Sequence, residues 1–448
     1  MKTALIIAPL LLAALKAGAG EAPLVTETGP VITLDDAHRM AIRHHPGYRN
    51  VNESIEQADA LICSAWSMLL PTLRAGASVI RNENEVSMAF PQFDSTTGAV
   101  VGMDDMIIQE KWQVGFNLTA GMTLFNARSI PAIRIAYDLQ EQTRLDAMIA
   151  RNDLLFAVTS AWYQIAGLRE LIGVNAQNVD VAVEFDRLAQ ARQAAGQATK
   201  IDAMRARMQL MDARRQLDDA KDAYETARNA LAILLGHKGD WRFETPSTAP
   251  VIPAETVAAL TKQALSRRVD LQSADIDVRM ARRDKTETLA RLVPVFDVTW
   301  QWNASTAEGF SGDNTNWTLI FGANWSILEG GARLAEMKME ASRIRVAQNR
   351  REQLEMDIRT NVDRQYRDIV GRRRHLEVSG ERLALAQENH RMVSSQYQVG
   401  LATSLDLVDA STELSRSRLQ LAMDQLALDM AILTLRRSIG EYSSLALK

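Results

Sequence analysis

Two fifteen-residue stretches 204 positions apart carry one pattern, and this repeat constrains the chain more than any other feature of its sequence. Arg192-Gln-Ala-Ala-Gly-Gln-Ala-Thr-Lys-Ile-Asp-Ala-Met-Arg-Ala206 and Gln396-Tyr-Gln-Val-Gly-Leu-Ala-Thr-Ser-Leu-Asp-Leu-Val-Asp-Ala410 place Gly196, Ala198, Thr199, Asp202 and Ala206 on Gly400, Ala402, Thr403, Asp406 and Ala410. The match runs on without a gap through Leu210/Leu414, Arg214/Arg418 and Leu217/Leu421 to Leu231/Leu435 and Gly236/Gly440. In each copy a long helical pattern meets Gly, which ends helices by taking positive φ, and Thr three places later is suited to cap the next helix. Each copy is therefore the tip of a helical hairpin, and the chain is two such hairpins in pseudo-symmetry.

The helices leading into the tips are long. Helical periodicity spans about 127 to 195 with Pro131 in its first turn, where proline is tolerated. At 1.5 Å per residue, such a helix is a rod on the order of 100 Å. The return helix runs to Gly236, and the second copy repeats both lengths and ends at Gly440.

Ahead of each rod the period changes from 3.6 to 2. After Pro71, Leu73, Ala75, Ala77 and Val79 alternate with polar or small residues. Residues 81 to 110, polar and broken by Pro91 and Gly98, read as a long loop. Then Trp112, Val114, Phe116, Leu118, Ala120, Met122 and Leu124 share one face, and Gln113, Gly115, Asn117, Thr119, Gly121 and Thr123 the other. The second half repeats this with Phe296, Val298, Trp300 and Trp302, then Trp317, Leu319, Phe321, Ala323, Trp325 and Ile327. Such alternation fits a soluble sandwich core, and it fits equally a membrane barrel with lipid outside and water within.

Short helices precede each strand pair. Thr33 and Asp36 form the capping-box pattern of the first, which Pro46-Gly47 stops near His45, and a second helix covers about 51 to 70. The expected organisation is a signal peptide, 1–19; an arm and short helices, 20–70; a first strand pair, 71–126; a first long hairpin, 127–236; a linker and short helices, 237–292; a second strand pair, 293–328; a second hairpin, 329–440; and a tail, 441–448. The signal consists of Lys2, an apolar core from Ala4 to Leu15 and Ala17-Gly18-Ala19. Although 47% of residues are hydrophobic, no run reaches the ~18 needed for a membrane helix. Cys63 is the only cysteine, which excludes an intrachain disulfide, and it reads as a small buried residue on a helix. A net charge of −4 with interspersed signs argues against nucleic-acid binding.

Four strands cannot close a membrane barrel, since the smallest have eight, and an open sheet in lipid has two bare edges. Copies of the chain must therefore share a barrel, two giving eight strands and three giving twelve. Trp112, Trp300, Trp302, Trp317 and Trp325 suit its lipid interface. The rival reading is a periplasmic or secreted coiled-coil scaffold without transport activity; it explains the rods but not the matched strand pairs.

The two-fold repeat, the short helices before each strand pair and the motif Tyr397-Gln-Val-Gly-Leu-Ala-Thr-Ser-Leu-Asp-Leu-Val-Asp-Ala410 resemble the TolC-like outer-membrane efflux channel family over nearly the whole chain. The resemblance implies a mainly α fold with a transmembrane β-barrel portion: a homotrimer with a twelve-stranded barrel in the outer membrane and an α-helical barrel reaching into the periplasm. It implies a passive exit duct of a tripartite efflux or secretion system, joined by a periplasmic adaptor to an inner-membrane pump. Asp406 and Asp409 match the family's constriction carboxylates, Tyr397 the tyrosine that ties the hairpin shut, and Asp202 an acid opposite it. Gly196, Gln197, Val399, Gly400 and Leu401 are the expected adaptor contacts. Asp406 and Asp409, at i and i+3 on one helix face, would form two acidic rings under threefold symmetry. Gln197, Ala402 and the Ala195-Gly196-Gln197 tip depart from the family's pattern, as does Val269 where proline is usual. No catalytic, cofactor or metal set is apparent: His44 and His45 are adjacent on a helix and do not face one point. Gly330-Gly331 lacks phosphate-loop spacing and reads as an easing of the strand-to-helix passage.

Overall fold

The computed structural model of the chain describes residues 29–236, 239, 241–244, 250–306 and 313–443. The expected signal peptide and residues 444–448 of the tail lie outside them. In chain order the described residues form β1 (Val31–Ile32), α1 (Leu34–His44), α2 (Pro46–Ser67), β2 (Thr72–Arg81), β3 (Val86–Phe93), β4 (Val100–Gln109), β5 (Trp112–Phe125), α3 (Ser129–Ala194), α4 (Lys200–Leu235), β6 (Arg242–Phe243), α5 (Val257–Arg267), α6 (Val269–Ala290), β7 (Val295–Ser305), β8 (Thr315–Asn324), α7 (Ala332–Gln398), α8 (Ser404–Ser438) and a 3-10 turn, Glu441–Ser443.

Local chemistry sets the helix ends. Thr33 caps α1 in a capping box with Asp36. Pro46 opens α2 as well as closing α1, because a proline in the first turn sacrifices no intrahelical bond. The long helices α3 and α7 have 66 and 67 residues, and their return helices α4 and α8 have 36 and 35.

The chain divides into two compact units. One, formed by 51–147 and 269–355, holds a four-stranded antiparallel sheet in the order β2-β5-β7-β8. Its register sets Leu73 opposite Ala120, Ala120 opposite Trp300 and Trp300 opposite Leu319. Another row joins Ala75, Leu118, Trp302 and Trp317. One apolar face thus crosses all four strands, and no described residue covers it: Phe321 is 72% exposed. The opposite face carries Asn117, Asp297, Thr299, Asn303 and Asn316, with Asn303 donating to Asn316 at 3.2 Å and Asn324 to Asp297 at 3.3 Å. Gly322 leaves room for the Asp297 carboxylate, since a Cβ there would stand 2.7 Å from Oδ2. β2 and β8 each have one edge unpaired among the described residues.

In the same unit, residues 81 to 110 are not the expected loop: β3 and β4 pair as an antiparallel hairpin. Pro91 is accommodated because a strand in a two-stranded ribbon has an edge that needs no N–H donor. The turn is made by Asp94, whose Oδ1 accepts from Thr96 N at 2.7 Å and Thr97 N at 3.3 Å, and by Gly98 at φ +66°. Cys63 also departs from expectation: it is exposed, because Ala58 is the one buried residue of α2. Asp138 on α3 is clamped by Arg279 Nε at 3.0 Å and Arg283 Nη1 at 2.7 Å, both on α6.

The other unit contains α1, α4, α5, α8 and the tip-side parts of α3 and α7. Its largest apolar cluster gathers Ala41, Val158, Trp162, Tyr224, Leu231 and Phe243, with Trp162 and Phe243 edge to face at 5.3 Å. Here β1 and β6 pair in parallel, tying the expected arm to the expected linker.

Candidate functional site

Both hairpin tips use one turn. Gly196 and Gly400 take φ of +71° and +81°, and the next amides, Gln197 N and Leu401 N, donate back to Arg192 O and Gln396 O, each at 2.8 Å. The following helix starts in each case with a capping box. Asp202 Oδ2 accepts from Thr199 N at 3.0 Å and Thr199 Oγ1 at 2.7 Å. Asp406 Oδ2 accepts from Thr403 N at 2.8 Å and Thr403 Oγ1 at 2.6 Å. Four helix-start amides lack an internal partner, so a Thr and an Asp at this spacing satisfy part of the deficit in both copies.

The contacts between the tips are not repeated. Tyr397, 3% exposed, packs its ring against Phe185 at 6.0 Å and among Ala189, Ala206 and Leu407. The Arg192 guanidinium lies 4.5 Å over that ring, and Arg192 Nη2 donates to Gln398 O at 3.3 Å. Ser404 Oγ donates to Asp202 Oδ1, joining the start of α8 to the start of α4. The Ser404 hydroxyl, then that of Thr199, holds the Asp202 carboxyl below its ordinary pKa; Asp406 is lowered by Thr403 alone.

Tyr397 and Asp202 therefore belong to one cluster, but no hydrogen bond joins them. The Tyr397 hydroxyl is buried without a hydrogen-bond partner among the described residues, and Asp202 has Ser404 instead. Asp406 and Asp409 both lie on the first turns of α8 and are exposed, with one Asp406 oxygen engaged in its cap. Gly196, Gln197, Val399, Gly400 and Leu401 are exposed at the turns. Arg192, Phe185 and Ser404 were not singled out from sequence. They align with Gln396, Asn389 and Lys200, positions where the two copies differ. That difference was the available signal, because a contact between two hairpins needs unlike partners on its two sides.

On the sheet, Trp300, Trp302 and Trp317 share the apolar face. Trp112 lies opposite Arg81, whose guanidinium sits 5.4 Å over its ring. Trp325 falls just past β8, and its Nε1 donates to Leu292 O at 3.0 Å.

The sequence profile of the outer membrane efflux protein family matches residues 39–237 and 260–441. The pyoverdine export outer membrane protein OpmQ of Pseudomonas aeruginosa is 25% identical over 396 residues, 87% of this chain and 80% of that protein. Among solved structures, the outer membrane protein VceC of Vibrio cholerae superposes with a TM-score of 0.71 at 17% identity, covering 91% of this chain and 96% of that one. The open state of the MtrE outer membrane channel of Neisseria gonorrhoeae gives 0.70 at 17% identity, covering 91% and 88%. With a profile match over most of its length, and the same fold in both solved channels, the chain belongs to the outer membrane efflux protein family.

Proposed function

We propose that this protein is one third of an outer-membrane exit duct. The observation that carries the reading is the four-stranded sheet: its apolar face runs across every strand, its other face is polar, and its two outer strands each have an edge unpaired among the described residues. In lipid each unsatisfied backbone group costs several kcal/mol, so such a sheet spans a membrane only when its edges are closed. Three copies give a twelve-stranded barrel with Trp112, Trp300, Trp302, Trp317 and Trp325 toward lipid and the Asn, Thr and Asp face toward water. In detergent extracts the unheated protein is expected at the mass of three copies, collapsing to one on boiling; a one-copy mass before heating would sink the proposal.

The duct is passive, with its periplasmic end opened by an adaptor and energised by an inner-membrane pump. The exposed tips at Gly196-Gln197 and Val399-Gly400-Leu401 offer the adaptor a surface whose backbone is already turned. Threefold repetition makes rings of Asp406 and Asp409 that favour cations. Tyr397, held by Arg192 and Phe185, and Asp202, held to Ser404, keep the two hairpins of one copy together when the end is closed. Alanine at both 406 and 409 is expected to reduce cation preference in planar-bilayer recordings; unchanged selectivity removes them from the constriction.

A further inference from the structure

Arg418 on α8 is a partly buried guanidinium that makes no ion pair among the described residues. Its Nη1 donates to Asn178 Oδ1 on α3 at 3.4 Å. Burial alone pushes it below the ordinary arginine value, and no carboxylate offsets that cost. The acids on either side of it along α8 are engaged elsewhere, Glu413 with Arg382 at 2.7 Å and Asp424 with Ser379 and Gln420. Asp186, two turns beyond Asn178 on α3, pairs with Arg207 at 3.2 Å. A charge withdrawn from water without an opposite charge beside it is costly, so the position calls for a negative partner.

The groups around this cation are donors. Asn178 is 4% exposed, and its Nδ2, on the amide that receives Arg418, is buried without a partner among the described residues. His390 on α7 is held below its ordinary pKa by burial and then by the Arg418 charge, which keeps the ring neutral with one N–H to give. Guanidinium, amide and imidazole come from three helices, one in the first hairpin and two in the second.

The repeat shows where a carboxylate is missing. In the first hairpin Asp186 and Arg207, ten residues before and eleven after Gly196, form the ion pair between α3 and α4. Their counterparts, ten before and eleven after Gly400, are His390 and Ser411. The acid has become a neutral ring, and Ser411 Oγ is buried without a partner among the described residues. Arg418 itself repeats Arg214, which is exposed on α4. Packing of the two hairpins thus buries a cation beside the copy that has lost its acid.

We propose that Arg418, the Asn178 amide and the His390 ring bind a small inorganic anion that bridges the two hairpins. One guanidinium balances one negative charge, so the ligand is a monovalent ion of the halide kind. Arg418 supplies the charge-assisted bond, and the neutral amide and imidazole N–H groups complete the shell. The bound ion links α3 to α7 and α8, adding to the contacts that Arg192 and Ser404 make between the tips. The site needs only the packing of one chain and is independent of the threefold duct.

The test uses the full chain in detergent, with sodium bromide or sodium gluconate at equal ionic strength. Crystals grown in bromide are expected to show an anomalous peak between the Arg418 guanidinium and Asn178 Nδ2. Bromide should also raise the thermal midpoint by about 1–3 °C over gluconate. Arg418→Gln should lose both effects, whereas Arg214→Gln, at the exposed repeat-equivalent position, should keep them. Absence of the anomalous peak in the unaltered protein means that water fills the site, and overturns the proposal whether or not Arg418→Gln folds. A peak without a midpoint shift, or with the same shift in Arg418→Gln, marks an adventitious ion only and overturns it as well.

Discussion

The hairpin α3–α4 and the hairpin α7–α8 agree in helix length to one residue and share a turn and a capping box, yet they are held differently. α3 buries thirteen apolar side chains, among them Val158, Trp162, Ile165 and Ile172, whereas α7 buries Ile358, Val362, Ile369, Leu383, Ala386 and Tyr397. Its beginning differs as well. β5 passes to α3 through three residues, with Asn126 Oδ1 accepting from Arg128 N at 3.1 Å, while β8 reaches α7 through seven, including Gly330 and Gly331 at positive φ. A repeat thus specifies the same local turn twice, but the neighbours of each copy decide whether it is a buried strut or an exposed one.

The largest test of that contrast is Asp138 against Glu340, buried carboxylates on α3 and α7. Asp138→Ala leaves two α6 arginines without their shared partner and is expected to cost about 2–4 kcal/mol, since Arg279 keeps Glu141 and Arg283 keeps the Arg134 carbonyl, read as a lower thermal midpoint of the detergent-solubilised protein. Among the described residues Glu340 pairs only with Arg343 one turn along, so Glu340→Ala should cost less than about 1 kcal/mol. Equal losses would show that α3 is not the more firmly held helix.

Next are the repeat-equivalent glycines ending the return helices. A Cβ on Gly236, at φ +67°, would stand 2.5 Å from His44 O; one on Gly440, at φ +75°, would stand 3.1 Å from the Arg267 Cβ. Alanine at 236 should cost roughly 2–4 kcal/mol and at 440 about 1–2 kcal/mol, because both adopt a left-handed backbone but the first is forced against the His44 carbonyl whereas the Arg267 backbone stands 3.3 Å or more from the second. Denaturant unfolding followed by tryptophan fluorescence gives the order.

At the tips, Arg192→Ala removes the cation over Tyr397, worth about 1 kcal/mol, and should raise the open fraction in planar bilayers roughly fivefold. Tyr397→Phe should change little, since the hydroxyl it loses has no hydrogen-bond partner among the described residues. A larger effect from Tyr397→Phe than from Arg192→Ala would assign the latch to the hydroxyl.

The smallest difference separates Asp202 from Asp406. Both folded pKa values are lowered, so each contributes stability above the unfolded carboxylate value that is lost as pH falls through the folded one. Acidification below about 4 should therefore loosen both tips, and Asp202→Asn should speed hydrogen exchange of tip amides more than Asp406→Asn, because only Asp202 also binds the other hairpin.

Much of the fold was legible because its signals are short-range. Gly400 with Thr403 and Asp406 is a complete instruction for ending one helix and starting another, written within seven residues. The alternation from Trp112 to Leu124 specified a two-faced strand for a similar reason, since side chains change sides at every residue. The β3–β4 hairpin was obscured by Pro91, and the exposure of Cys63 by its helical, apolar surroundings, because neither signal reports how many neighbours an element has.

The hairpin turns, the caps and the facing of each strand are written in residues only a few positions apart, and the two-fold plan in the return of those same local signals 204 positions later. Only the tertiary structure decided that β5 lies between β2 and β7, that Asp202 bonds Ser404 and not Tyr397, and that Arg192 covers the Tyr397 ring. The contacts between the tips join residues about 200 positions apart. They depend on which surfaces meet when two similar hairpins pack, and no local periodicity encodes that choice.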